Sequence, residues 1–125
     1  MVQTILYSGA ALLSFIWFFV HLLIGGKQIA RPLLEDTALP QMAQQVLYVC
    51  WHFVSATIAV TALLFTLAVL LADSAHAIAG TLLAAGFSLV GIAIGPLRGW
   101  RYGTIPQGWL FVPVVAMGLL GLTLG

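Results

Sequence analysis

Along the chain, four long apolar stretches alternate with three short polar interruptions. The apolar stretches cover residues 3–30, 41–72, 74–95 and 104–124. Each meets or exceeds the roughly 20 residues of helix that cross a bilayer's hydrocarbon core. The interruptions carry helix-breaking chemistry. "RPLLEDTALPQ" holds two prolines and most of the acids, "ADSAH" is very short, and "GPLRGWRYGTIPQG" is rich in glycine and proline. In lipid, a spanning segment must satisfy its own backbone polar groups, which an isolated helix does and an isolated strand does not. The pattern therefore predicts an all-α integral membrane protein, a four-transmembrane-helix antiparallel bundle forming one domain over residues 1–125. The second stretch exceeds a minimal span and is expected to tilt, or to protrude on the side of Gln41. Pro113, inside the fourth, is expected to kink it, with a neighbour satisfying the freed carbonyl.

Composition sharpens this picture. Of the 125 residues 62% are apolar and only 6% charged, whereas a soluble domain carries about 25% charged residues. No soluble catalytic module fits in such a chain, and an enzyme acting on its own is not expected. A net charge of +1 offers nothing to a nucleic acid, and the single cysteine, Cys50, excludes an internal disulfide. No basic residue precedes Lys27, so the opening lacks the charged start of a secretory signal and reads as a retained first helix. No nucleophile–base pair, phosphate loop or CxxC pair is present. No carboxylate lies within a span, which argues against export driven by a membrane-embedded Glu.

Charge also sets an orientation. Lys27, Arg31, Arg98 and Arg101 are the only basic residues apart from histidine, and all flank the first or third interruption. The positive-inside rule places those connections, 31–40 and 96–103, in the cytoplasm and both termini in the periplasm of a bacterial inner membrane. Trp100, Tyr102 and Trp109 gather near the third connection as an interfacial belt would. Lys27 and Arg31 fit headgroup anchors at the helix end.

Two histidines stand inside the apolar stretches, His21 in the first and His52 in the second. An intramembrane ionisable group is a functional candidate by default. Steps of three and four from His21 pass through Ser14, Phe18, Gly25 and Gln28, and steps from His52 pass through Gln45, Tyr48, Ser55 and Ala59. Both rows are smaller or more polar than their surroundings, so each is expected to face protein. Pairing the histidines across antiparallel helices also sets Gly25 against Tyr48, Gln28 against Gln45 and Phe18 against Ser55. The expectation is one shared site, made of His21, His52, Tyr48, Gly25 and Ser55. His21 and His52 could ligate a metal ion or b-type haem, or either could hold the polar tip of a quinone. Zinc takes four ligands, and the chain supplies no third or fourth. Helix-locking hydrogen bonds are the plain structural alternative. His76 lies beside Asp73 at the opposite end and reads as a cap.

The stretches "VHLLIGGKQIARPLL" and "VCWHFVSA" resemble a family of small four-helix bacterial inner-membrane proteins. The shared pattern is His21, Gly25, Arg31-Pro32-Leu33, Trp51-His52 and Ser55. It implies the four-span layout and no particular activity. "HLLIGGKQIARPLLED" is also similar to the haem-ligating stretch of the cytochrome b membrane anchors of succinate dehydrogenase. That likeness implies an axial ligand at His21, with Lys27 or Asp36 near the haem edge. The chain departs from the anchors in lacking their second histidine after the basic residue and in having four spans.

Two function classes follow. In one, the His21–His52 region binds a metal, haem or quinone-like ligand. In the other, the chain is a non-catalytic accessory or assembly subunit. Besides the lipid bilayer, the expected partner is another membrane protein or a second copy, and the small residues Gly80, Gly86, Gly91, Gly118 and Gly121 would suit close helix contacts.

Overall fold

The computed structural model describes all 125 residues, and it is built from helices without a strand. Four helices are long and apolar enough to cross a membrane: α1 (Val2–Glu35), α2 (Gln41–Leu70), α3 (Ser74–Arg98) and α4 (Gln107–Leu124). Each packs on its neighbours in sequence, and α1 also packs on α4, closing a ring of four. The outward surface is apolar, with Leu12, Phe53, Leu82 and Leu89 all more than 60% exposed. Phe65 is fully buried at the centre. Its ring lies over Gly80 and Gly118 and 6.2 Å from the ring of Tyr7. Glycines on α3 and α4 thus admit an aromatic side chain of α2 into the middle of the bundle. Gly91 and Gly108 let α3 and α4 touch backbone to backbone: a Cβ on Gly91 would lie 2.5 Å from Gly108 Cα. Gly86 meets nothing and stays exposed.

The helix ends differ from the expected boundaries, for reasons of backbone hydrogen bonding. α1 does not stop near residue 30 but continues through Pro32 to Glu35. Pro32 stands in the first turn of the closing segment, where a missing N–H costs little. The side-chain amide of Gln44, from the start of α2, reaches back to the carbonyls of Leu33, Leu34 and Asp36 at 3.0–3.1 Å. It caps an end that would otherwise hold unsatisfied acceptors. The first connection is thereby reduced to residues 36–40, and Arg31, paired with Glu35 at 2.9 Å, is helical.

α3 likewise runs past residue 95, through Pro96, to a left-handed Gly99 at φ 68°. Proline removes the amide that would bond the carbonyl four residues back. Here that carbonyl belongs to Ile92, and the Tyr102 hydroxyl donates to it at 2.7 Å. Tyr102 lies on Gly95, where a Cβ would approach its ring to 2.9 Å. The third connection is folded back and fastened. In α4 the helix is interrupted at Phe111, just before Pro113, and the Trp17 indole of α1 donates to the Leu110 carbonyl at 2.8 Å. A neighbouring helix satisfies the break, as membrane-type packing requires.

α1 is not one uniform helix. It is α-helical over Val2–Phe19, π-helical over Val20–Ala30 and α-helical again over Arg31–Glu35. π-helix is rare and concentrates at functional sites. The eleven residues in question contain His21, Gly25 and Lys27.

Candidate functional site

The π segment shifts the face of α1 from His21 onward. Bonding from i to i+5 turns the chain less per residue than an α-helix does, so the row drawn in steps of three and four drifts off its face. His21 stacks on Trp51 of α2, with ring centroids 3.9 Å apart and planes 16° from parallel. Its Nε2 lies 3.3 Å from the Trp51 carbonyl oxygen. A carbonyl only accepts, so Nε2 carries the proton in that bond, which leaves Nδ1 as an acceptor. Nδ1 makes no hydrogen bond within the protein and is not sealed from the exterior.

Gly25, four residues on, completes a notch for the same indole. A Cβ there would stand 2.7 Å from Trp51 Cη2. Ser55 joins from the far side, its buried hydroxyl donating to the Trp51 carbonyl at 3.1 Å. Three of the expected site residues, His21, Gly25 and Ser55, therefore converge on Trp51.

His52 and Tyr48 form a pair on α2, next in the chain to Trp51. Their rings meet edge to face at 4.7 Å on α2, and His52 is exposed. No hydrogen bond or ring stacking joins His21 to His52. No three His, Cys, Asp or Glu side chains come together anywhere in the fold. Of the interface residues, Lys27, Arg101, Trp100 and Trp109 are exposed, and the Arg98 guanidinium sits 5.8 Å from the centre of the Trp100 ring. Trp109 packs edge to face on Tyr102 at 5.6 Å.

Beside the His21–Trp51 stack lies a cavity of about 520 Å³. Its apolar wall comes from Trp17, Ile24, Val54, Ile58, Phe87 and Phe111, drawn from all four helices. Its polar groups are His21, Gln28, Thr104 and Gln107, the last two contributed by the third connection and the start of α4. The side chains of Gln28, Thr104 and Gln107 hold no hydrogen bond within the protein. A size of this order, with apolar walls and a few converging polar groups, is typical of small-molecule sites. His52, Tyr48 and Ser55 do not line it.

Sequence reasoning reached His21 and Gly25 but passed over Trp51, Thr104 and Gln107. Trp51 stands beside His52 in the stretch "VCWHFVSA". Thr104 and Gln107 stand as isolated polar residues in a segment read as punctuation. Comparison with family models, with curated proteins and with solved structures finds no match to this chain.

Proposed function

We propose that the protein is a multi-pass protein of the bacterial inner membrane that binds a lipid-soluble ligand with a polar tip, quinone-like in having an apolar body and a hydrogen-bonding end. The carrying observation is the cavity of about 520 Å³ whose apolar walls end at the His21–Trp51 stack within a π-helical segment. Trp51 fixes the imidazole by stacking and by its carbonyl, so Nδ1 is presented in one orientation. Without a partner in the protein, Nδ1 is free to accept from a hydroxyl or other donor of the ligand. Metal or haem held by two histidines has less support, because only His21 lines the cavity and no third ligand stands near.

The test is chemical analysis of protein purified in mild detergent from its native membranes. Metal content, a reduced-minus-oxidised visible spectrum and mass spectrometry of an organic extract are recorded on one sample. The expected result is a colourless, metal-free protein that yields one enriched lipid-soluble compound, depleted in His21→Ala. A Soret band or stoichiometric metal would defeat the reading.

The accessory-subunit alternative draws support from the outside of the bundle. An open groove between α3 and α4, lined by Ala85, Gly86, Leu89, Ile92 and Val112, contains the Ser88 hydroxyl, buried and without a partner. Other hydroxyls on these helices, such as Thr81 and Thr123, bond the carbonyl one turn back.

A further inference from the structure

All four cations of the chain outside histidine, Lys27, Arg31, Arg98 and Arg101, belong to the end of the bundle where the cavity lies. Glu35 and Asp36 are the only carboxylates there, leaving an excess of two positive charges. The cations are not equivalent. Arg31 is taken by Glu35 at 2.9 Å, and Arg98 lies over Trp100. Lys27 and Arg101 have no carboxylate within ion-pair distance. Lys27 immediately precedes Gln28, and Arg101 stands two residues before Gly103; Gln28 and Gly103 both line the cavity. Gln28, Thr104 and Gln107 add side-chain donors without protein partners at the same place. Unengaged cations and donors beside an apolar hole match an anion attached to an apolar tail.

We infer that the ligand of this cavity is an anionic amphiphile, its tail among Trp17, Ile58 and Phe87 and its phosphate-type head held at the rim by Lys27 and Arg101. Anchoring of the helix ends at lipid headgroups explains basic residues at this end of the bundle, but not donors lining a cavity. The inference rests on reading the cavity as a ligand site, and its test separates the two.

The protein is reconstituted in phosphatidylcholine nanodiscs with Trp100→Phe and Trp109→Phe, so that emission comes from the lining residues Trp17 and Trp51. It is titrated with ω-bromoundecyl phosphate and with ω-bromoundecanol, the bromine serving as a contact quencher. Both are expected to quench saturably. Lys27→Gln with Arg101→Gln is expected to weaken the phosphate by about tenfold or more, the scale of one or two hydrogen bonds to a charged group, and to leave the alcohol unchanged. Equal affinity of the double variant and its parent for the phosphate would overturn the anionic head while leaving the cavity reading intact. Absence of saturable quenching by either compound would overturn both. Displacement of the bromoalkyl phosphate by millimolar inorganic phosphate would assign the rim to a free anion and overturn the amphiphile.

Discussion

Trp51 is held on three sides by small or planar groups: the His21 ring on its face, Gly25 under its edge and the Ser55 hydroxyl on its carbonyl. Gly25→Val places carbon atoms where the indole lies. It should cost about 1–3 kcal/mol of stability, the range for an overpacked contact, and should also abolish ligand retention. His21→Gln is the milder change. The Trp51 carbonyl keeps its Ser55 donor, so stability should fall by only about 0.6 kcal/mol, the average for side-chain hydrogen bonds within membranes. Thermal unfolding in detergent, run on both variants beside the parent, checks the order. A larger loss for His21→Gln than for Gly25→Val would mean that the histidine is mainly a structural lock.

At the scale of the helix, proline positions were plain in the sequence and their consequences were not. The four apolar runs announced four helices, since nothing else satisfies so long an apolar backbone. Pro32 and Pro96 read as punctuation, yet both lie inside helices, and at Pro96 a distant side chain replaces what proline removes. For Pro96 the replacement is the Tyr102 hydroxyl on the Ile92 carbonyl, and no local pattern marks a tyrosine six residues on as a hydrogen-bond donor. Tyr102→Phe should destabilise the protein by about 1 kcal/mol. In a Pro96→Ala background, where a backbone amide can bond Ile92 instead, the same change should cost almost nothing. A double-mutant cycle by chemical unfolding measures the difference, and equal costs in both backgrounds would refute the role given to Tyr102.

The π segment explains why the candidate site was half legible. A face shared by the two histidines requires an α-helical period from Ser14 through Gln28, which Val20–Ala30 does not keep. The wider turns from Val20 to Ala30 shift the residues after His21, and both His21 and Gly25 meet Trp51. The close contact of α3 and α4 belongs to this scale as well. Gly91→Ala sets a methyl group against the backbone of Gly108, which cannot rotate aside, and should lower stability by about 1–3 kcal/mol. Gly86→Ala, facing open space, serves as the control and should be neutral or slightly stabilising, as expected for alanine replacing glycine within a helix.

For the molecule as a whole, the charge distribution predicts an orientation and the cavity predicts a ligand. With Cys50 first changed to Ser, a cysteine at Ser74 should react with an impermeant maleimide added outside intact spheroplasts. One at Thr37, in the first connection, should react only after lysis. The reverse pattern would place the basic end, and the cavity with it, on the periplasmic side. The central claim, that the cavity at the His21–Trp51 stack holds a ligand and that His52 is not part of it, is met most directly by native mass spectrometry. Parent, His21→Ala and His52→Ala are released from the same mild detergent and their masses compared. A one-to-one adduct is expected on the parent and on His52→Ala, and its loss from His21→Ala. A bare parent, or equal loss from both histidine variants, would contradict it.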